Sequence, residues 1–325
     1  MSYRWMPIAG QFDFPDDSVV FKGQPAAPLP SGETGEPKLS VGSVGVCLSN
    51  RTMANGYISA AIEFAQSSPP AISCEILISY DVTTQAQISA GLGGGSSMFV
   101  IREWLVPAAG QTGTWKYHAQ TGARANLQTG RKYEVHLRVE GSNVSLKVDD
   151  VPVCTTTLPA PLQQPRQVGI FCISTSNVTI SGFGIRPERP RAFVVMQFSS
   201  PYDEVYSNVI KAVCDPLDVD PIRADEIYGP GIIIKDVVDR IQRSDVIIAD
   251  ISPQNPNVYF EVGYALALGK PIILLAQRRE ADNQLPFDVS AFRVLFYDDS
   301  IGGKPKLEEG LRRHLEEILG KSKAW

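Results

Sequence analysis

Residues 244–277 read SDVIIADISPQNPNVYFEVGYALALGKPIILLAQ, and this stretch decides the fold of the second half of the chain. Its apolar run Val246–Ala249 is continuous, as a strand buried on both faces requires. A helix then begins at Asn255 and Pro256, because Asn is a favoured N-cap and Pro suits the first helical position. A second apolar run follows at Ile272–Leu275. This strand–helix–strand order predicts a parallel sheet covered by helices.

The same alternation extends outward on both sides. The predicted elements are strands at Phe193–Met196, Val219–Arg223, Val246–Ala249, Ile272–Leu275 and Val294–Tyr297, and helices at Tyr202–Val213, Ile232–Ile241, Asn255–Gly269 and Leu307–Leu319. Parallel strands joined by helices build an open sheet with helices on both faces. Five such strands predict a flavodoxin-like α/β domain with the strand order 2-1-3-4-5.

The first half of the chain follows a different pattern, in which short β-like runs are separated by Gly, Ser, Pro and Asn. In Tyr133–Val139 every second residue is apolar, and the break at Glu140–Asn143 leads into Val144–Val148, as in a hairpin. No amphipathic helix interrupts this pattern. Examples of these runs are Tyr57–Phe64, Cys74–Tyr80, Gln85–Leu92, Met98–Leu105, Lys132–Glu140, Val144–Val148, Val168–Ile173 and Val178–Ile185. They predict an antiparallel β-sandwich or jelly roll.

Arg186–Pro190 contains two prolines and is a candidate connector between the two halves. We therefore predict a β-sandwich recognition or assembly domain at residues 1–186 and the α/β domain at residues 187–325. A length of 325 residues also favours two domains over one.

The composition excludes several classes of protein. Hydrophobic residues make up 43% and charged residues 20% of the chain, and the net charge of -5 does not favour nucleic acid or a membrane surface as a partner. The five cysteines are dispersed, which suits neither a disulfide framework nor a zinc site. The N-terminus has no apolar signal-peptide core, and the apolar runs are too short to span a bilayer. We expect a cytoplasmic protein without a membrane or direct nucleic-acid partner.

A crevice is expected at the carboxyl end of the parallel sheet, between its first and third strands. Phe198 and Ser199 follow the first strand, and Asp250 ends the third. Glu261 lies in the second turn of the next helix, at the edge of an apolar stripe that faces the sheet. The stripe is predicted to comprise Val258, Val262, Ala265, Leu266 and Gly269. We therefore expect Glu261 to be a half-buried carboxylate that points toward the crevice.

Further candidate ligand contacts surround this position, and each has an alternative structural role. Asp250 can form an Asx-turn, Asn255 can serve only as an N-cap, and Asp225 can belong to a solvated loop. Asp236, like Glu261, can simply complement a helix dipole. The candidate substrate-binding residues are Phe198, Ser199, Asp225, Asp236, Asp250, Asn255 and Asn257. The three histidines lie on separate elements, so no metal site is predicted.

The quoted stretch resembles the nucleoside 2-deoxyribosyltransferase superfamily and its Toll/interleukin-receptor-like (TIR-like) relatives. The shared pattern is an aspartate that ends a strand, followed by a helix with the motif E-x-G-x-A-x-x-x-x-K-P. The matching residues are Asp250, Glu261, Gly263, Ala265, Lys270 and Pro271. The segments FVVMQFSSPYDEVY, residues 193–206, and IRADEIYGPGIIIKDVVDRI, residues 222–241, are also similar to this superfamily.

The resemblance implies a chemistry for Glu261. In the transferases the helix glutamate attacks the anomeric carbon, and TIR-like enzymes use a corresponding glutamate to cleave nicotinamide from NAD. A carboxylate beside an oxocarbenium-like centre can act as nucleophile or as charge stabiliser. The transferases place an aspartate six residues before the glutamate, where this chain has Asn255. That departure weakens the strict transferase interpretation and leaves hydrolysis of a nucleotide open.

The first half resembles the concanavalin-like (laminin-G-like) sandwiches in KYEVHLRVEGSNVSLKVDDVPV, residues 132–153, and QVGIFCISTSNVTISGFGI, residues 167–185. This resemblance implies a fold and does not imply sugar binding, so the ligand of the sandwich stays open. Trp104 and Trp115 are interpreted as packing residues, with a sugar platform as the alternative.

The leading functional hypothesis is a nucleotide N-glycosidase that uses Glu261 to hydrolyse NAD and release nicotinamide. NAD is the expected substrate, and no cofactor is expected. By analogy of domain pairing we expect a bacterial stress or antiviral defence effector that forms a homo-oligomer. One alternative is a nucleoside 2-deoxyribosyltransferase or nucleoside hydrolase. Another is a non-catalytic module for nucleotide sensing or self-association.

Overall fold

The computed structural model describes residues 3–24, 42–65, 72–106, 113–159, 166–226, 233–278, 292–298, 300 and 302–320. Packing contacts divide the chain into two compact units. The β-sandwich unit comprises Met1–Val139, Val144–Thr157 and Pro165–Glu188, and the α/β unit comprises Glu140–Asn143, Leu158–Gln164 and Arg189–Trp325. The domain boundary at residues 186–187 stays a prediction.

The β-sandwich unit consists of two seven-stranded sheets, which confirms the predicted fold class. Its strands are β1 (Trp5–Ala9), β2 (Phe12–Asp13), β3 (Ser18–Phe21), β4 (Ser43–Met53), β5 (Gly56–Phe64), β6 (Ser73–Tyr80), β7 (Gln87–Gly94), β8 (Ser97–Leu105), β9 (Thr114–Ala123), β10 (Lys132–Glu140), β11 (Asn143–Val148), β12 (Val151–Thr157), β13 (Arg166–Ser174) and β14 (Val178–Pro187). One sheet has the order β1-β4-β13-β6-β7-β8-β9, and the other has the order β12-β11-β10-β5-β14-β3-β2.

Two-residue alternation explains how β10 is oriented. Tyr133, Val135 and Leu137 are buried, whereas Glu134 and His136 are exposed. The strand pairs antiparallel with β5 from Lys132 to Val139. The hydrophobic pattern therefore fixes the register, because a slip of one residue would turn the apolar set into solvent.

A polar cluster is buried in the other sheet. Arg102 pairs with Glu75, whose carboxylate also accepts hydrogen bonds from Ser73 and Ser89. The Arg102 guanidinium carbon lies 3.7 Å from the centroid of the Trp115 ring. Trp115 in turn packs on Trp104 with ring centroids 5.1 Å apart, as the packing interpretation expects, and the sugar platform stays the alternative. Both indoles also line a groove of about 330 Å³.

The α/β unit has the predicted flavodoxin-like sheet. Its strands are β15 (Arg191–Val195), β16 (Asp220–Arg223), β17 (Val246–Asp250), β18 (Ile272–Gln277) and β19 (Val294–Tyr297), and its helices are α1 (Tyr202–Val205), α2 (Lys211–Cys214), α3 (Ile233–Arg243), α4 (Pro256–Ala267) and α5 (Gly303–Ile318). All four strand pairings are parallel, in the order β16-β15-β17-β18-β19. This is the order 2-1-3-4-5, so the prediction is confirmed.

Each face of the parallel sheet carries its own core. On one face α3 and α4 pack through residues such as Val237, Ile241 and Val258. On the other, α1, α2 and α5 pack through residues such as Tyr202, Val213 and Leu311. The sheet is thus buried on both sides, which leaves its carboxyl edge as the place where strand ends and loops can meet a ligand.

Two details differ from the prediction. A π-helical turn at Tyr206–Ile210 joins α1 to α2, where one continuous helix was expected. On α4 the buried stripe is Val258, Val262 and Ala265, whereas Leu266 and Gly269 are exposed. Gly269 instead ends the helix, with φ +65°, a left-handed conformation that glycine adopts without strain.

The five cysteines, all within the described residues, are buried free thiols. None of the helices in the described ranges is long and apolar enough to cross a membrane.

Candidate active site

The loop after β15 and the start of α4 meet at the point where the strand order reverses. Asn255 caps α4, because its Oδ1 accepts a hydrogen bond of 2.9 Å from the Asn257 backbone N–H. Its Nδ2 donates to Gln197 Oε1 at 2.7 Å. One side chain therefore caps the start of the helix and also joins it to the first-strand loop. The predicted N-cap is confirmed, and Asn257 lies exposed in the first turn.

Glu261 lies on α4, half-buried at the edge of the stripe that faces the sheet. Burial raises the pKa of this carboxyl to about 7 from an ordinary value of 4.5. Among the described residues no hydrogen bond or ion pair offsets that desolvation. A carboxyl with these properties can accept a proton, or serve as nucleophile or charge stabiliser, near neutral pH.

Asp250, at the end of β17, is only 1% exposed. Its Oδ2 accepts a hydrogen bond of 2.6 Å from the Tyr297 hydroxyl, and its Oδ1 accepts one of 2.9 Å from the Ser252 backbone N–H. Burial raises the pKa of Asp250 to about 6, although both hydrogen bonds act to lower it. In this arrangement both oxygens are engaged within the protein, so Asp250 joins the ends of β17 and β19 and supports the loop that leads to α4.

The first-strand loop presents Phe198 and Ser199. The Phe198 ring is 46% exposed, and the Arg223 guanidinium lies over it at 5.3 Å. Ser199 is half-buried, and its carbonyl accepts the backbone N–H of Tyr202 at 2.8 Å at the start of α1. Asp225, in the short 3₁₀ turn after β16, is paired with Arg223. The structure thus brings Phe198 and Asp225 into one cluster around Arg223.

Asp236 stands apart from that cluster. It is half-buried in the first turn of α3, and no described contact joins it to Phe198, Asp225 or Glu261. Its role as a ligand contact stays a prediction.

Lys270, the lysine of the motif E-x-G-x-A-x-x-x-x-K-P, links two segments of the backbone. Its buried Nζ donates to the carbonyls of Gln242 and Ser244, both at 2.6 Å. Burial lowers the pKa of this amine to about 8, against the opposing charge of Asp245. The ammonium therefore joins the C-terminal end of α3 to the turn after α4, the two helices that cover one face of the sheet.

A cavity of about 240 Å³ opens near the strand ends on the α1 and α5 side. Glu261 is not among its lining residues. Its polar lining comprises Tyr202, Glu204, Asn208, Gln277, Tyr297, Asp298, Ser300 and Lys304. Through Tyr297 this cavity is connected to the Asp250 carboxylate.

Sequence reasoning missed three residues of the site, namely Gln197, Arg223 and Tyr297. Tyr297 is 47 residues from its partner Asp250, so no local pattern could join them. Arg223 at the end of a strand beside the acidic pair Asp225 and Glu226 was the available signal, since carboxyl-edge residues face the crevice.

In the described part of the chain, no group of three or more His, Cys, Asp or Glu side chains is placed to hold a metal ion. The side chains that the described site presents are carboxylates, amides, aromatic rings and one arginine.

Comparison with known families bears on this site. The model of the nucleoside 2-deoxyribosyltransferase family matches residues 206–290. That range contains α4 and Glu261, so the resemblance to these transferases is confirmed for this part of the chain. No curated protein matches the chain as a whole or in part.

Solved structures are similar to each unit. For the first unit they include the carbohydrate-binding module CBM66 from Bacillus subtilis, with 10% identity over 55% of this chain and 92% of that chain and a TM-score of 0.39. A Bacillus subtilis protein of unknown function with a galectin-like fold has 11% identity over 57% and 88%, with a TM-score of 0.37. For the second they include the TIR domain of the Toll-related receptor TRR-2 from Hydra magnipapillata, with 14% identity over 38% and 97% and a TM-score of 0.31. Similarities at this level say nothing about activity.

The raised pKa of Glu261 predicts a pH-dependent effect of the substitution Glu261→Gln on stability. The folded state holds the proton up to about pH 7, whereas the unfolded chain releases it near 4.5. The contribution of Glu261 to the free energy of unfolding of the wild type is therefore present at low pH and is lost as pH rises through about 7. Relative to wild type, the glutamine variant should gain about 1–3 kcal/mol of unfolding free energy between pH 4 and pH 8, with allowance for partial exposure.

Chemical denaturation followed by far-UV circular dichroism measures this difference, because the described α-helices lie in the α/β unit. A stability difference between the two proteins that is the same at pH 4 and pH 8 would contradict the burial of an ionisable Glu261.

Proposed function

We propose that the α/β unit is an N-glycosidase that hydrolyses NAD to nicotinamide and ADP-ribose, with Glu261 as the catalytic carboxylate. The observation that carries this proposal is the half-buried Glu261 carboxyl, with a pKa raised to about 7, on the helix that begins at the crevice. The match of residues 206–290 to a family of nucleoside-processing enzymes supports it.

The proposed reaction breaks one bond and forms another at the ribose anomeric carbon. The bond from this carbon to the pyridinium nitrogen breaks, and its electron pair neutralises the nitrogen, so nicotinamide leaves uncharged. The Glu261 carboxylate stabilises the positive charge that develops on the sugar, or adds to it as a nucleophile. A water molecule then supplies the hydroxyl of ADP-ribose and releases one proton, which the same carboxyl can accept before it passes to solvent.

The surrounding side chains have proposed roles that follow from their positions. Phe198 offers an exposed ring for the base, while Ser199 and Asn257 offer polar groups beside the helix N-terminus. Asp236 carries a proposed contact to a ribose hydroxyl. Asp225, whose two oxygens already accept from Arg223, offers its remaining lone pairs for a second such contact. Asn255 fixes the distance between the first-strand loop and α4. Asp250 supports the loop that leads to α4 through its hydrogen bonds and does not contact the substrate in this proposal.

A second candidate function is hydrolysis or transfer on 2′-deoxynucleosides. The family match favours it, because that family acts on nucleosides. The two candidates share Glu261 and differ in substrate, so base release from NAD and from a set of 2′-deoxynucleosides separates them. Release from neither, with nucleotide binding retained, would favour the non-catalytic sensing module. The role in bacterial defence rests on the domain pairing alone.

The catalytic proposal predicts that Glu261→Gln lowers the rate of base release at least about 100-fold, or roughly 3 kcal/mol of transition-state stabilisation. The amide keeps the shape of the side chain and removes its charge. Chromatographic measurement of released base, at saturating substrate and pH 8, gives the comparison.

A matched control is Glu316→Gln on α5, a half-buried glutamate outside the crevice, which should retain the wild-type rate. Equal rates for wild type and Glu261→Gln would remove this carboxylate from the mechanism.

The pH dependence follows from the same group. Only the ionised carboxyl can stabilise positive charge or act as a nucleophile. The value of kcat/KM should therefore rise with pH, tenfold per pH unit below about 7, and level off above it. A rate profile that levels off already near pH 4.5 would show that the rate-controlling carboxyl is not buried.

We also propose that the chain assembles into a homo-oligomer, as the resemblance implies. On the outward face of α4 Phe260 is exposed, and the space beside Gly263 is open, because a Cβ built on this glycine would have no neighbour within 4 Å. This face therefore has room for a second subunit. Light scattering should find a mass above that of one 35.4 kDa chain. A monomer with undiminished activity at high dilution would overturn this proposal.

A further inference from the structure

Arg223, at the carboxyl end of β16, lies against two aromatic rings. Its guanidinium carbon lies over the Phe198 ring at 5.3 Å and over the Tyr206 ring at 4.5 Å from the ring centroids. Both distances are within the range in which a cation is attracted to an aromatic face. One planar cation therefore contacts an exposed ring of the first-strand loop and a ring of the α1–α2 segment.

The edge of the guanidinium is engaged by two carboxylates. Nε and Nη2 donate to the two oxygens of Asp225 at 2.7 and 2.6 Å, and Nη1 donates to Asp203 Oδ1 at 2.7 Å. All three nitrogens thus donate to protein carboxylates, in the planar geometry that a guanidinium fork favours. The three side chains carry a net charge of about -1. This cluster therefore does not suit the recognition of a substrate phosphate, and it leaves the faces of the cation for aromatic rings.

At the buried end of this cluster, Tyr206 is held in place. Tyr206 is 3% exposed and its hydroxyl donates to the Pro221 carbonyl at 3.3 Å. Lys211 Nζ lies 4.5 Å from the same ring. The outer end is Phe198, which is 46% exposed even though Arg223 covers part of it. A rigid support therefore ends in an aromatic ring that is open to a ligand.

We propose that Arg223 is a positioning residue that holds Phe198 as a stacking platform for the aromatic base of a nucleoside or nucleotide, with Asp203 and Asp225 fixing the plane of the guanidinium. The inference rests on the proposed function, since it places the substrate base at Phe198. It adds a source of selectivity: the Phe198 ring binds an aromatic base by stacking, whatever the base, and makes no contact with phosphate.

The test compares Arg223→Lys, Phe198→Leu and the double variant in the full-length chain. Lysine keeps the positive charge and loses the planar fork. Arg223→Lys and Phe198→Leu should each raise KM for base release about 5- to 30-fold, with kcat within about twofold. The double variant should be no weaker than Phe198→Leu alone, because Arg223 acts through that ring. Calorimetry in the Glu261→Gln background, which slows the turnover of NAD, should show the same loss of affinity for NAD and none for ribose 5-phosphate, which has no base.

The matched control is Arg131→Lys in the β-sandwich unit. Arg131 also lies over an aromatic ring, that of Tyr133 at 4.7 Å, and pairs with a carboxylate, that of Asp149 at 2.7 Å. It should leave KM and kcat unchanged. If Arg223→Lys does not fold, Asp203→Asn is the second variant, because it removes one of the two carboxylates at a half-exposed position. It should also raise KM.

Two sets of results would overturn the inference. One is a double variant whose KM rises by the product of the two single effects, or single variants that change kcat alone. The other is an equal loss of affinity for ribose 5-phosphate and for NAD. If the wild type releases no base, the proposed function fails, and calorimetry with NAD and adenosine still decides the platform. Weaker binding in both single variants supports it, and unchanged or absent binding overturns it.

Discussion

The structure of the site depends on a carboxylate that is kept partly out of water. Glu261 lies at the edge of the buried stripe of α4, and this position raises its pKa to about 7. A helix that packs its stripe of Val258, Val262 and Ala265 against the sheet has little freedom to rotate Glu261 into solvent. The packing energy of the helix therefore maintains the unfavourable desolvation of the glutamate, as is common at functional sites.

The loops around Glu261 are held by polar contacts across long sequence distances. Asn255 bonds Gln197, 58 residues away, and Asp250 bonds Tyr297, 47 residues away. Both contacts lie at the carboxyl edge of the sheet: the first joins the first-strand loop to the start of α4, and the second joins the ends of β17 and β19. Buried Lys270 makes a comparable link between two turns through backbone carbonyls. The motif thus contains one candidate for chemistry, Glu261, and several residues that position it.

Local patterns were sufficient to predict both folds, but they did not single out every strand. Lys132–Glu140 and Val294–Tyr297 agree with the predicted bounds, because alternation and a buried apolar run are strong signals. Thr114–Ala123 was not singled out, although Trp115, Tyr117 and Ala119 alternate with polar residues, and none of its residues is fully buried. Ser43–Met53 was not singled out either, although most of it is buried. The position of Glu261 could be predicted from helical spacing alone. The engagement of Asp250 by Tyr297 and the packing of Arg223 on Phe198 arise from tertiary contacts, which one sequence does not encode in any local period.

The central claim is that Glu261 titrates near neutral pH beside a nucleotide-binding crevice. Carbon-13 NMR of protein labelled at the glutamate side-chain carboxyl carbon measures it directly, with Glu261→Gln used to assign the resonance. We expect one glutamate resonance that titrates at about 7, disappears in the variant and shifts when a nucleoside is added. A spectrum in which every glutamate titrates near the ordinary value of 4.5, with no response to nucleoside, would contradict the account.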